Sequence, residues 1–502
     1  MAKLTRRAIL ASGASALATA AVAEAPLSSL RPIGRPIEQP PKPVSDLRPR
    51  SRPDTRQYIE NAPIKGDIGF AVADVQTGEV LEAIDGDVSL PPASVAKAVT
   101  GLYALKSLGG GFQYKTRLIA DGPISNGILN GDLILAGGGD PRLQTDDVAE
   151  LAQMLKETGI REVRGDFLVW GGALKRVEEI DPEQKDHLGY NPAVAGLNLN
   201  FNRVHFEWKQ NGDDYDITMD ARSAAYRADV TVSRMRVVER PAPVYQYRDL
   251  GAFDDWSVAK GALGDFGSRW LPVREPALYV GDVFRTFARS QGIVLKPAKL
   301  STAVPTGTTL ATLVSPPLRD VVRNMLRYST NITAEACGMT ATNRRTGQNR
   351  NLQTSALNMS QWCLRQSGAA PRFVDHSGLG DASRITATEM LRVLTSPGAF
   401  ETLHPVLRDV RMVTENREDL PKFQGLVRAK TGTLNFVNSL AGYIRTAGGR
   451  DLAFAFFAAD LEAREAGKLS GNDRPRGALT YANRARWLQQ QLIQYWARTG
   501  DA

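Results

Sequence analysis

Apolar and small or polar positions alternate from Ile68 through Phe70 and Val72, "QTGE" supplies a turn, and Val80 opens a second run. A period of two on either side of a turn predicts a β-hairpin. The period then lengthens. Val95, Ala98/Val99, Leu102, Leu105 and Leu108 recur at three- and four-residue steps behind Pro91-Pro92, and Gly109 to Gly111 end the run. That pattern predicts a helix with proline just before its start and glycine at its end. Leu326, Ile332 and Ala336 predict two more helices meeting at a short polar break. "GLVRAKTG", "VNSLAGYIRT" and "DLAFAFFAAD" read as strands. The last segment, "ALTYANRARWLQQQLIQYW", stripes Trp487/Leu488, Leu492 and Tyr495/Trp496 along one helix face, to be laid against those strands.

The two ends of the periodic region differ from the start of the chain. "MAKLTRRAIL" is basic, "AILASGASALATAAVA" is short and mildly apolar, and "AVA" or "AEA" supplies a small-x-small cleavage site. Residues 1–25 therefore read as an export signal, and "TRRAIL" gives it a twin-arginine look. The apolar run is too short to span a bilayer. Residues 26–64 read as a Pro/Arg-rich linker, extended where "PLSSLRPIGRPIEQPPKPVSDLRPRSRPD" places a proline every few positions. The rest has the make-up of a soluble globular protein, 42% apolar and 23% charged over 502 residues. The formal charge of +8 is spread along the chain, with no basic block interleaved with aromatics. Nucleic acid is thereby excluded as an expected partner. The four histidines, His187, His205, His376 and His404, show no metal-ligand spacing, so no metal or cofactor is expected.

Chemistry enters with "SVAK", which occurs twice, at Ser94–Lys97 and Ser257–Lys260. In the first copy both residues lie one turn apart on the start of a predicted helix. Backbone N–H groups and the positive dipole end then flank the serine, and a partly buried lysine can take its proton. The second copy runs into Gly261, Gly264 and Gly267 and is assigned to a loop. Two further motifs follow the first copy in order: Ser329-Thr330-Asn331 at the predicted helix break, and Lys430-Thr431-Gly432-Thr433 at the end of a strand. Ser470-Gly471-Asn472 is a decoy for the former, in a charged glycine-rich loop. S-x-x-K, S-x-N and K-T-G in that order form the penicillin-recognising acyltransferase signature.

"GDLILAGGGDPRL", "GLNLNFNRV", "SPPLRDVVRNMLRYSTNITAEA", "VDHSGLGDASRIT" and "AKTGTLNFVNSLAGY" extend the likeness over residues 66 to 495. The chain resembles the type-4, class C low-molecular-mass penicillin-binding proteins, D-alanyl-D-alanine carboxypeptidase/endopeptidases. It departs from them at His376, where the family usually has glycine, in "SVAK" itself, and over "DPEQKDHLGYNP". The resemblance implies an α/β (α+β) fold: a transpeptidase-like α/β/α domain interrupted by an inserted, mainly β region of two small subdomains. Spacing agrees, because Ser94 and Ser329 are 235 positions apart and must share one site. The expected boundaries are 65–112 and 275–495 for the catalytic domain and 113–274 for the insertion.

The resemblance also implies roles. Ser94 would attack, Lys97 would be the general base, Ser329 would relay a proton to the departing D-alanine, and Asn331 would orient Lys97 or the substrate amide. Lys430 would add positive charge, Thr431, Gly432 and Thr433 would hold the terminal carboxylate, and the N–H groups of Ser94 and Thr433 would form the oxyanion hole. Asp186 would read the stem-peptide side chain. The expected partners are peptidoglycan stem peptides and, as covalent inhibitors, β-lactams, in the periplasm. A β-lactamase-like hydrolase and a non-catalytic wall-binding relative are the alternatives. The first lacks a compact Glu-x-x-x-Asn deacylation loop here, and the second would have lost a motif residue. Cys337 and Cys363, the only cysteines, are expected to form a disulfide in an exported chain.

Overall fold

Alternate side chains of the central strands go to two different cores, with alanines concentrated on one face. In Asp451–Ala459 the side chains of Leu452, Phe454 and Phe456 share one core with the closing helix, Ala478–Thr499. The alternate Ala453, Ala455 and Phe457 face a second core, built on helices Ala96–Leu108, Leu318–Tyr328, Asn331–Thr346 and Leu352–Ser367. Strand Asp67–Asp74 divides likewise, with Phe70 and Val72 toward the first core and Ala71 and Ala73 toward the second. Alanines on that face let helix Ala387–Leu394 pack closely on strands Asp451–Ala459 and Asp67–Asp74.

The structure is a computed structural model that describes residues 55–251, 253–414, 418–420, 423 and 425–500. The export signal and most of the linker lie outside the described residues. Residues 55–64, expected to end the linker, are instead packed. They carry the short helix Arg56–Glu60, and Tyr58 meets Tyr495 of the closing helix at 6.0 Å between ring centroids. No helix among the described residues is long and apolar enough to cross a membrane.

The central sheet has six antiparallel strands in the order Arg408–Asp409, Leu426–Leu434, Val437–Arg445, Asp451–Ala459, Asp67–Asp74, Val80–Ile84. Strand 426–434 pairs on its outer side only through Ala429 and Arg428. From Lys430 onward that edge carries no strand partner among the described residues.

Between the 96–108 and 318–328 helices a separate mixed region folds around one core of its own, from Leu118 to Ala311. It holds a five-stranded sheet with two covering helices, a four-stranded sheet, and two three-stranded sheets. The expected boundary at 274/275 falls too early. Helix Pro276–Ser290 buries Tyr279, Val280, Val283 and Phe284 in this core, and strand Thr308–Val314 pairs with Lys115–Asp121. Phe284 of that helix meets Phe167 of the inserted sheet at 5.5 Å between ring centroids. Ser257 is also corrected. It lies in Asp254–Ala259, the buried middle strand of a three-stranded sheet, and not in a loop. The three glycines sit beyond this strand, Gly261 in the 3-10 turn Lys260–Ala262 and Gly267 in the next strand, Phe266–Pro272.

Candidate active site

Ser94 lies in a 3-10 turn, Ala93–Val95, that runs straight into the Ala96–Leu108 helix. Ala93 holds φ +47°, a conformation that costs an L-residue about 1 kcal/mol or more and marks functional turns. One helical turn on, Lys97 Nζ donates to Ser94 Oγ at 2.9 Å and to the Ser377 carbonyl at 2.8 Å. Lys97 is fully buried while Ser94 is part-exposed. Burial pushes the lysine down to about 8, against the pull of the Asp375 and Glu335 carboxylates. Burial thus brings the free amine within reach of neutral pH.

The second motif follows the predicted break. Helix Leu318–Tyr328 ends on Ser329 in the left-handed region, φ +59°, and Asn331 starts the next helix. Asn331 does not touch Lys97. Its side-chain amide donates to the Tyr190 carbonyl at 2.9 Å and so anchors a loop of the inserted region. The third motif lies wholly within strand Leu426–Leu434, and Gly432 explains its glycine. A Cβ there would stand 2.8 Å from the Pro92 carbonyl oxygen and 3.0 Å from Ser94 N. The unpaired strand edge thus lies against the Ser94 turn. Lys430 is buried and donates to the Thr431 carbonyl at 2.6 Å. Burial, then the neighbouring Lys97 ammonium, push it down to about 6. Both causes work against the standing positive charge expected of Lys430, and a neighbouring carboxylate would work the other way.

Ser94, Ser329, Asn331 and Thr433 open onto one cleft of about 1040 Å³. Asp186 is not among the residues that line it. The Asp186 side chain is exposed, and its carbonyl is held by Arg274 at 3.2 Å. Its neighbours Glu183, Gln184, Lys185 and Tyr190 face the cleft instead. Lys468 binds Asp381 and Glu183, and Lys185 binds Asp473 and the Gly471 carbonyl. Gly471 and Asn472, part of the decoy triplet, therefore form a rim of the same cleft, joined to the Glu183–Tyr190 loop by Lys185.

Sequence reasoning missed what stands behind Lys97. Glu335 and Asp375 are both fully buried carboxylates, pushed up mainly by burial. Asp375 accepts from the Gly378 and Gly380 N–H groups, and Glu335 Oε2 accepts from His376 N at 2.8 Å. Glu335 Oε1 has no well-formed hydrogen bond among the described residues, though the Ser377 side chain lies near enough to favour the carboxylate. A lone carboxylate between Ala334 and Ala336 on a helix with alanine neighbours was the available signal. The cysteines need a correction as well. Cys337 and Cys363 sit on adjacent helices, yet both are free, buried thiols. Tyr114 Oη donates to Cys337 Sγ at 3.5 Å. Among the described residues no group of three or more His, Cys, Asp or Glu side chains could hold a metal.

The profile of the D-Ala-D-Ala carboxypeptidase 3 (S13) family matches residues 55–472. A D-alanyl-D-alanine carboxypeptidase of Actinomadura sp. (strain R39) is 25% identical over 441 residues, 80% of each chain. The D-alanyl-D-alanine carboxypeptidase DacB of Haemophilus influenzae is 25% identical over 427 residues, 81% of this chain and 89% of the other. The crystal structure of penicillin binding protein 4 from Haemophilus influenzae superposes with a TM-score of 0.68 at 20% identity, over 88% of this chain and 100% of the other.

Proposed function

The chain belongs to the D-Ala-D-Ala carboxypeptidase 3 (S13) family, and from that premise we propose how its cleft performs the reaction. The protein is a penicillin-binding serine D-alanyl-D-alanine carboxypeptidase. The observation that carries the residue assignment is Lys97: fully buried, pushed down to about 8, and 2.9 Å from the Ser94 hydroxyl. A buried amine at hydrogen-bond distance from an accessible hydroxyl is the requirement for activating a serine.

The stem peptide lies along the free edge of strand 426–434 as an added strand, its terminal carboxylate at Lys430, Thr431 and Thr433. Ser94 Oγ attacks the carbonyl carbon of the penultimate D-alanine as its proton passes to Lys97 Nζ. The developing oxyanion takes hydrogen bonds from the N–H groups of Ser94 and Thr433. The C–N bond breaks, and the proton reaches the leaving amine through the Ser329 hydroxyl. Water, deprotonated by Lys97, then hydrolyses the ester and frees Ser94. A β-lactam enters the same sequence, but its opened ring stays attached to the acyl group. Cleavage of a cross-linked stem peptide is the same chemistry with a different leaving amine. The Glu183–Tyr190 loop, tied to the catalytic domain through Asn331 and Lys468, reads the stem residues before the scissile bond. Export to the periplasm by residues 1–25 places the enzyme beside this substrate.

Purified protein given a defined pentapeptide should release one D-alanine per molecule, and a Ser94→Ala variant none. Release undiminished in the variant would contradict the assignment.

A further inference from the structure

The mechanism leaves one buried titratable group unused. His376 is fully buried and lies behind the site, with none of its atoms on the cleft. Its ring is held on every side. Nε2 meets Ser355 Oγ at 2.7 Å and Nδ1 meets Met359 Sδ at 3.3 Å. The ring lies nearly parallel to Tyr103, with centroids 6.5 Å apart. Gly338 leaves it room, since a Cβ there would stand 2.2 Å from His376 Cγ. Burial keeps the imidazole neutral, pushing it down to about 3.

The backbone of the same residue runs directly to the catalytic groups. Its carbonyl accepts from Thr100 Oγ1 at 2.6 Å, one turn beyond Lys97, and its N–H donates to Glu335. The next carbonyl, Ser377 O, accepts from Lys97 Nζ at 2.8 Å. Gly378, in the left-handed region at φ +74°, then passes so close to Ala93 that a Cβ would stand 1.9 Å from the Ala93 carbonyl oxygen.

We propose that His376 is a positioning residue for acylation: its pinned ring fixes the 375–380 loop so that the Ser377 carbonyl holds Lys97 in register with Ser94. This rests on Lys97 being the base. A neutral amine has one lone pair and two N–H bonds. Directing one N–H at Ser377 O restricts its rotation and aims the lone pair at the Ser94 hydroxyl. Without the ring, the loop gains freedom and the amine is aimed correctly less often. Effects of this kind fall on the bond-making step and not on binding.

The test separates the dissociation constant of the precovalent penicillin complex from the first-order acylation rate constant, alongside thermal unfolding, in three variants. His376→Gly should lower the acylation constant about tenfold or more while the dissociation constant holds. His376→Gln, which can still reach Ser355, should recover acylation to within about threefold of the wild type. Ser355→Ala should lower it in the same direction as His376→Gly, and these last two variants carry the test if His376→Gly does not fold. Wild-type acylation in a folded His376→Gly, or a His376→Gln protein that regains its melting temperature but not its acylation rate, overturns the proposal. A wild-type protein that is not acylated at all would instead overturn the function on which it rests.

Discussion

Asn331 donates its side-chain amide to the Tyr190 carbonyl at 2.9 Å, across 141 positions of chain, and so joins the inserted region to the Ser329–Asn331 turn. The bond fixes the Glu183–Tyr190 loop, which lines the same cleft as Ser94. Asn331→Ala should cut kcat/KM on a stem pentapeptide about tenfold or more. One lost hydrogen bond is worth about 1 kcal/mol, so the melting temperature should fall by only about 2 °C. Steady-state kinetics and calorimetry on the same sample check both. A large thermal shift with unchanged kinetics would make Asn331 purely structural.

Acylation should depend on pH through Lys97. Its amine acts only when unprotonated, and burial places that change near pH 8. The first-order acylation rate constant at saturating penicillin should therefore rise close to tenfold per pH unit below pH 7 and level off above about pH 8. Saturation matters because Lys430, pushed down to about 6, loses its proton lower in the same range and weakens carboxylate binding there. A rate constant flat from pH 6 to 8 would exclude Lys97 as the base.

Gly432 leaves the clearance between strand Leu426–Leu434 and the Ser94 turn. Gly432→Ala puts a methyl group 2.8 Å from the Pro92 carbonyl oxygen and 3.0 Å from Ser94 N, and both are backbone atoms that cannot swing aside. Acylation should fall about a hundredfold or more with far-ultraviolet circular dichroism unchanged. Acylation within a few-fold of the wild type would show that this approach is not needed for the reaction.

The thiols give a check on the packing behind the site. Cys337 is pushed up to about 12 by burial, and Cys363 is also raised by burial. Native protein at pH 8 should resist a thiol reagent, and protein unfolded without reductant should titrate two thiols. No reactive thiol after unfolding would restore the disulfide.

The sheet strands and the Ser94 helix were legible because one face of each had a clear period, as at Phe454 and Phe456 or at Leu102 and Leu105. The three motifs were legible because they are contiguous. The Pro276–Ser290 helix was equally periodic, but periodicity names a buried face without naming its partner, and the partner was the inserted sheet. Asp186 was the nearest carboxylate in sequence, whereas the chain turns within 181–190 and presents Glu183 and Lys185 to the cleft. Glu335 and Asp375 converge on Lys97 from segments 40 residues apart, which no local pattern records.

The central claim is that the first "SVAK" is the reacting device and the second is not. Ser94 Oγ takes a hydrogen bond from its own Lys97 at the mouth of the cleft. In the second copy the two side chains have gone to other partners. Arg240 donates to Ser257 Oγ at 2.8 Å, and Lys260 pairs with Glu239 at 3.0 Å. Labelling with a fluorescent penicillin, followed by mass spectrometry of the labelled peptide, distinguishes them directly. The label should sit on Ser94, vanish in Ser94→Ala and persist undiminished in Ser257→Ala. Label on a peptide containing Ser257, or labelling that survives Ser94→Ala, would contradict the account.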